Sequence, residues 1–379
     1  MHVISFLIYF FNKGGTVDIA VHQKLEGQKL KELCRASGGD CGGTSVDTEF
    51  LNIMKKVFGE EIATEFQTND PESFLELLRS FELTKRTIKT NSTGTIKVNI
   101  PNVALSQFCE LKYNKSLEEQ VNSSELKASI SVKYGFFYIE TEFLRGLFAQ
   151  TLTNLNSLIS NTFEQERVND VQTIVLVGGF AECALVQDSV KSKFLSKRVI
   201  IPEDCGLAVL KGAVMFGHNT SFVSLRVLPF TIGIQACKPY NRKLDHDREH
   251  VFLLNGKEYS KNLFHIIVKR DTDVEVDTDI VMEFSTKRPY QEYIKINIYS
   301  TKENNITYVD DNGCDFLGRS VIKVVKPSEK LQNVKVVFTF GNTEMSVTAH
   351  DPGTDDKYEG QLDLLAENDE DETPDIILD

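Results

Sequence analysis

Thr173-Ile174-Val175-Leu176-Val177 is an uninterrupted apolar, β-favouring run that passes straight into Gly178-Gly179. A strand that is apolar on both faces must be covered on both, which places it inside a parallel, helix-flanked sheet. Glycines directly after it let backbone approach a ligand at the strand's C-terminal end, and the helical stretch 183–194 completes a strand, turn and helix. The class constraint is an alternating α/β layer with a ligand-facing edge. The turn lacks the GxGxxG spacing of a dinucleotide fold.

A second glycine turn, Gly14-Gly15-Thr16-Val17-Asp18, lies between the apolar run 3–11 and the alternating stretch 17–22. The pattern predicts a hairpin whose turn can admit a phosphate, with a hydroxyl and a carboxylate close behind. Taken alone, such a turn serves equally to reverse the chain.

Residues 26–34 read as a short connection or helix, 37–44 as a glycine-dense loop, and 45–58 as a helix with Phe50, Ile53, Met54 and Val57 on one face. Asp70-Pro71 is an N-cap and N1 pair opening a further helix with Phe74, Leu77, Leu78 and Phe81 on one face. Its end carries Glu82, Lys85 and Arg86, whose plain reading is a solvated, salt-bridged face. Strand-like runs fill 95–140, a long helix is expected over about 140–166, a strand over 198–201, and a Gly/Ala-rich helix over 206–216. From about residue 221 short strands at 223–234, 251–254, 280–284, 293–299, 322–325, 334–340 and 344–349 predict an antiparallel β domain.

The net charge of −13 is concentrated at the end: residues 351–379 hold twelve acids against one base, Lys357, leaving 1–350 near −2. That balance argues against a nucleic-acid surface and predicts a disordered acidic tail over 366–379, acting as a solubilising segment or a partner-binding one. Seven cysteines without a C-x-x-C pair read as reduced thiols of a cytoplasmic protein. The apolar start is too short to span a bilayer and lacks a basic leader, so no membrane segment is expected.

The order of these parts resembles the actin-like ATPases of the heat-shock 70 kDa family, and in detail its atypical 12A/12B group. The resemblance rests on Gly14-Gly15-Thr16-Val17-Asp18-Ile19-Ala20-Val21-His22-Gln23, Phe81-Glu82-Leu83-Thr84-Lys85-Arg86, Val175-Leu176-Val177-Gly178-Gly179-Phe180-Ala181-Glu182 and Gly206-Leu207-Ala208-Val209-Leu210-Lys211-Gly212-Ala213-Val214. It covers roughly 14–365, ending with Val227-Leu228-Pro229-Phe230-Thr231-Ile232-Gly233-Ile234 and Phe340-Gly341-Asn342-Thr343-Glu344.

The fold class this implies is α/β: the second lobe of an actin-like ATPase domain (14–220) followed by an antiparallel β domain (221–365), with 1–13 an atypical N-terminal segment. It implies ATP or ADP with Mg²⁺ as cofactors. Gly14, Gly15 and Thr16 would cradle the phosphates and Asp18 would help hold the metal through water. Glu82, Lys85 and Arg86 would line the adenosine pocket, and Gly178, Gly179 and Phe180 would close its other side. Protein clients or cochaperones are the implied partners.

The family pattern before the first turn is an Asp, a variable residue and a third Gly, where this chain has Phe11, Asn12 and Lys13. That departure, with the absence of matching sequence before Gly14, leads to the expectation of an N-terminally truncated chain unable to hydrolyse ATP by itself. The alternative is a non-catalytic interaction module acting through its β domain or acidic tail. A sugar kinase of the same superfamily is a third reading, disfavoured by the β domain.

Overall fold

The computed structural model describes residues 6–12, 15–26, 29–242, 248–324, 327–341, 345–350, 357–363 and 375–378. It divides into two units, 1–24 with 36–219, and 25–35 with 220–379. Gly14 lies outside the described residues, as does most of the acidic segment.

In the first unit β1 (Phe6–Asn12) and β2 (Val17–Lys24) form the expected hairpin. After β3 (Leu30–Gly39) come α1 (Gly43–Phe58), α2 (Glu60–Asn69), α3 (Pro71–Thr87), β4 (Thr95–Asn99), α4 (Asn102–Tyr113), α5 (Leu117–Ser123), β5 (Ile130–Lys133) and β6 (Phe136–Glu140). Next are α6 (Thr141–Gly146), α7 (Ala149–Phe163), β7 (Thr173–Val177), a 3₁₀ turn (Gly179–Glu182), α8 (Ala184–Lys193), β8 (Arg198–Ile200) and α9 (Ala208–His218). β7 runs parallel to β1 and to β8, the parallel arrangement its apolar character requires, and Ile174, Val175, Leu176 and Val177 are buried. β4, β6 and β5 make a separate antiparallel sheet.

α3 begins as its sequence dictates: Asp70 Oδ1 accepts from the Ser73 amide at 3.1 Å and Pro71 occupies the first turn. Its buried stripe is Phe74, Leu77, Phe81 and Lys85, and Phe81 stacks on Phe50 of α1 with ring centroids 3.9 Å apart.

Three local expectations differ. Residues 30–39 form a strand, not a connection or helix, because the segment pairs in the sheet between β2 and the strand at 223–227. The long helix of 140–166 is two helices, α6 and α7, parted at Leu147 and Phe148, which are buried with Phe148 stacked near Phe180. The run 95–140 contains α4 and α5 between its strands.

The second unit holds β9 (Val223–Val227), β10 (Thr231–Pro239), β11 (Val251–Leu254), β12 (Lys257–Val268), β13 (Asp273–Glu275), β14 (Thr278–Ser285), β15 (Tyr293–Thr301), β16 (Cys314–Lys323), β17 (Asn333–Phe340), β18 (Met345–His350) and β19 (Lys357–Asp363). Nine of them form an antiparallel strip in the order β11-β12-β10-β15-β16-β19-β18-β17-β14. One apolar core draws on both ends of the strip, with Ile234, Ile296 and Ile322 meeting Phe284, Val336, Phe338 and Val347. Leu30 of β3 pairs with Val223 of β9 in parallel, and β13 pairs antiparallel to β9.

Within the segment expected to be a disordered tail, residues 375–378 are placed against β10. The Cys237 amide donates to Ile376 O at 2.9 Å, the Leu378 amide to Cys237 O at 2.8 Å, and Ile376 is fully buried. Ile376 is an apolar residue within the acidic run, and its burial in the core of the second unit favours this attachment.

Candidate functional site

Strand register brings the ends of β1 and β7 together. Phe11 pairs with Asp18 in the hairpin and with Val177 of β7, so the hairpin end that holds Asn12 and Val17 lies beside the start of Gly178-Gly179. Gly178 has φ +97°, a conformation glycine adopts without strain, and its amide donates to Cys205 O at 2.7 Å.

Next to this edge is a cavity of about 300 Å³ lined by Gly43, Thr44, Asp47, Glu82, Lys85, Arg86, Gly178, Gly179, Phe180, Gly206 and Val209. The structure thus gathers six of the residues singled out from sequence: Glu82, Lys85, Arg86, Gly178, Gly179 and Phe180. Gly15, Thr16 and Asp18 are not in the lining. Gly15 borders it, because its carbonyl accepts from the Gly42 amide at 3.2 Å and a Cβ there would lie 3.2 Å from Thr44 Oγ1. Asp18 Oδ1 lies beside Gly38, where a Cβ would come within 3.0 Å.

Charge in the cavity is organised around α3. Lys85 is 2% exposed; its Nζ donates to Gly43 O at 3.1 Å and to both Asp47 oxygens at 2.7 and 2.8 Å, and it also pairs with Glu82. Arg86 donates to Glu82 Oε1 from Nε at 2.9 Å and from its Nη2 nitrogen at 2.7 Å, and its Nη1 reaches Glu182 Oε2 at 2.9 Å. Burial by itself would raise the Glu82 carboxyl, but the hydrogen bonds and charges of Lys85 and Arg86 outweigh it and hold the group below its ordinary value. At Asp47 burial prevails over the Lys85 bonds and the carboxyl is raised.

The solvated reading of this helix end therefore fails for Lys85 and holds for Arg86, which is exposed. Cys183 and Cys205 flank the glycines as buried thiols, both raised by desolvation, and so lack the thiolate character of a nucleophile.

The sequence reading missed Gly43, Thr44, Asp47, Glu182, Gly206 and Val209. The signal for the first two was present: α1 opens at Gly43 after Gly42 with no capping side chain, and although the Ser45 amide donates to Gly42 O at 3.2 Å, the start of such a helix favours an anion. Gly206 is pinned by Glu182, whose Oε1 would lie 2.1 Å from a Cβ there.

The donor set suits a nucleotide. Glycines at 43, 178, 179 and 206 allow close backbone approach, a carboxylate can accept from sugar hydroxyls, and a partly exposed guanidinium offers a planar face for a base. For a metal the fit is narrower. Among the described residues no three His, Cys, Asp or Glu side chains are placed to hold an ion, and Asp18 is not in the cavity lining.

Comparison with known proteins places the relatives of this chain in the heat-shock 70 kDa class. The chain is 29% identical over 358 residues to heat shock 70 kDa protein 12A of Homo sapiens, covering 93% of this chain and 53% of that protein. It is 28% identical over 372 residues to human heat shock 70 kDa protein 12B, with the same coverage. The chaperone protein DnaK of Mycoplasmopsis synoviae (strain 53) matches at 26% over 230 residues, 59% of this chain. No family model matches. The resemblance to the atypical heat-shock 70 kDa group is thus shown, and such relatives imply an actin-like ATPase fold. The chain spans about half the length of the 12A and 12B relatives it matches.

Proposed function

We propose that the first unit binds an adenine nucleotide, and that the chain is a chaperone-like protein of the heat-shock 70 kDa superfamily whose first unit corresponds to the second lobe of the ATPase domain. The observation that carries this is the single cavity wall shared by the α1 N-terminus, Lys85, Arg86 and Gly178-Gly179. In this reading Gly14, Gly15, Thr16 and the α1 amides hold phosphates, Glu82 accepts from ribose hydroxyls, and Arg86 stacks on the base. Lys85, bonded to Gly43 O and Asp47 and paired with Glu82, fixes the α1 N-terminus against α3 and so holds the first-turn backbone in place. Phe180 is buried and closes the wall opposite α3. Mg²⁺, when bound, would supply neutralising charge at the phosphates, with Asp18 reaching it through water.

Turnover by these residues alone is not proposed. Phe11 stands where the family pattern has a carboxylate, and loss of one preorganised group costs about 10² to 10³ in rate. Calorimetry on residues 1–379 with ATP and ADP, each with Mg²⁺, tests the reading. Saturable binding, weakened by Arg86→Ala and without phosphate release, supports it; absence of binding sinks it.

A second reading, a non-catalytic protein-interaction module, draws on the buried attachment of residues 375–378 to β10, which gives the acidic segment a fixed anchor. Protein retaining its fold but indifferent to nucleotide would favour that reading.

A further inference from the structure

In the second unit, alternation along β10 and β15 sends Ile234, Ala236, Ile296 and Ile298 into the apolar core and Gln235 and Asn297 to the opposite face. That face carries a continuous row of polar side chains. Arg319 Nε donates to Asn297 Oδ1 at 2.6 Å, Asn297 Nδ2 to Gln235 Oε1 at 2.6 Å, Gln235 Nε2 to Asn262 Oδ1 at 2.9 Å, and Asn262 Nδ2 to Asp310 Oδ2 at 3.3 Å. His250 Nε2 meets the same Asp310 oxygen at 2.9 Å. Gln235 is 3% exposed and Asn262 4%.

Segment 302–313 folds over the row, its Thr307 carbonyl accepting from the Phe264 amide at 2.9 Å and its Val309 amide donating to Asn262 O at 2.8 Å. Beneath it remains a cavity of about 300 Å³ whose walls include Gln235, Asn262, Tyr299, Asp310, Asp311 and Phe316.

Three features set what this cavity can take. Every amide in the row presents its NH₂ toward Asp310 and its carbonyl toward Arg319, so the aligned dipoles turn their positive end to Asp310 and favour its ionised carboxylate, a fixed negative charge at the cavity wall. Two carboxylates line it and no lysine or arginine does. Tyr299 and Phe316, edge to face with centroids 5.3 Å apart, supply aromatic surface for a cation. Among the described residues that line the cavity an anion finds no lysine or arginine, and no triad of metal-ligating side chains is placed for an ion among the described residues.

We propose that this cavity binds a compact organic cation of the alkyl-guanidinium or primary-ammonium class. The source is a basic side chain presented by a polypeptide or a small free amine, and the chemistry of recognition is the same for both.

Three probes on residues 1–379, without nucleotide, test this: agmatine, an extended Gly-Ser-Arg-Ser-Gly peptide, and the same peptide with citrulline for arginine. Both cationic probes should bind, and the neutral citrulline peptide at least about tenfold more weakly. Asn312 lines the cavity but is exposed, so replacing it tests charge without disturbing the buried row. Asn312→Lys should cut affinity for both cations about tenfold or more with the melting temperature unchanged, and Asn312→Asp should raise it severalfold. An arginine peptide tighter than agmatine identifies a polypeptide source, and the reverse a free amine; either result supports the site. Equal binding of the citrulline peptide, indifference to Asn312→Lys, or no binding of either cation overturns it.

Discussion

Lys85 shows most clearly what one position decides. It follows Phe74, Leu77 and Phe81 at helical spacing, so the period that builds the core also carries its ammonium inward. Once there it needs Asp47, Glu82 and Gly43 O around it. Lys85→Met should cost about 3 kcal/mol, read from urea unfolding, because it leaves buried carboxylate and carbonyl oxygen without their cation. Glu82 gives a pH signature. Its carboxyl is held below the ordinary 4.5, so its contribution is complete above that value and is lost as pH falls through the lower folded value. Asp47, raised by burial, has the opposite slope. Comparing urea midpoints at pH 7 and pH 4, Glu82→Gln should flatten the acid loss relative to the parent protein.

Two glycines make a further contrast. A Cβ at Gly233 would lie 2.6 Å from the Phe264 ring and 2.8 Å from His265 O, neither free to move, so Gly233→Ala should destabilise the second unit by about 1–3 kcal/mol. At Gly206 the obstacle is only the Glu182 carboxylate tip. Gly206→Ala should displace that side chain from Arg86 and cost less than about 1 kcal/mol, both values measurable by thermal or urea melts.

Among the elements, α9 departs furthest from what its composition predicts. A helix this apolar ordinarily packs on a core, yet no residue of it is buried, and Leu210, Val214 and Met215 are 63%, 67% and 58% exposed. Leu210→Lys with Val214→Lys should therefore change stability by no more than about 0.5 kcal/mol per site. A loss beyond about 2 kcal/mol in urea melts would mean that this face is covered in solution.

Elements with strong local chemistry were legible: α1 by its apolar spacing, α3 by Asp70-Pro71, β7 by its unbroken apolar run. The strand at Leu30–Gly39 was not, because its residues alternate only weakly and its glycines mimic a loop. Nor was the division of α6 from α7, since the helical period continues through Leu147 and Phe148 and the break shows only in their amides, which bond three residues back to Leu144 O and Arg145 O.

On the scale of the whole molecule, each unit has a cavity of its own, one lined with glycines and with cations paired to carboxylates, the other with amides and carboxylates. If the first holds nucleotide, hydrogen exchange with ATP and Mg²⁺ should show added protection at residues 43–47, 82–86 and 178–182. Unchanged exchange at those three segments would remove the nucleotide assignment while leaving the organic-cation site untouched.

By itself the sequence determined the class of architecture, an α/β portion and then a β-rich one, because residue spacing and turn chemistry are local. It also held the resemblance that marks Glu82, Lys85, Arg86 and Gly178-Gly179. Only tertiary structure decided that Gly43, Thr44, Asp47 and Gly206 share a wall with them, that Glu182 reaches Arg86, and that Asn297, Gln235, Asn262 and Asp310 join into one row. Those juxtapositions depend on strand register and helix packing between residues far apart in the chain, and no local pattern encodes which distant partner a side chain will meet.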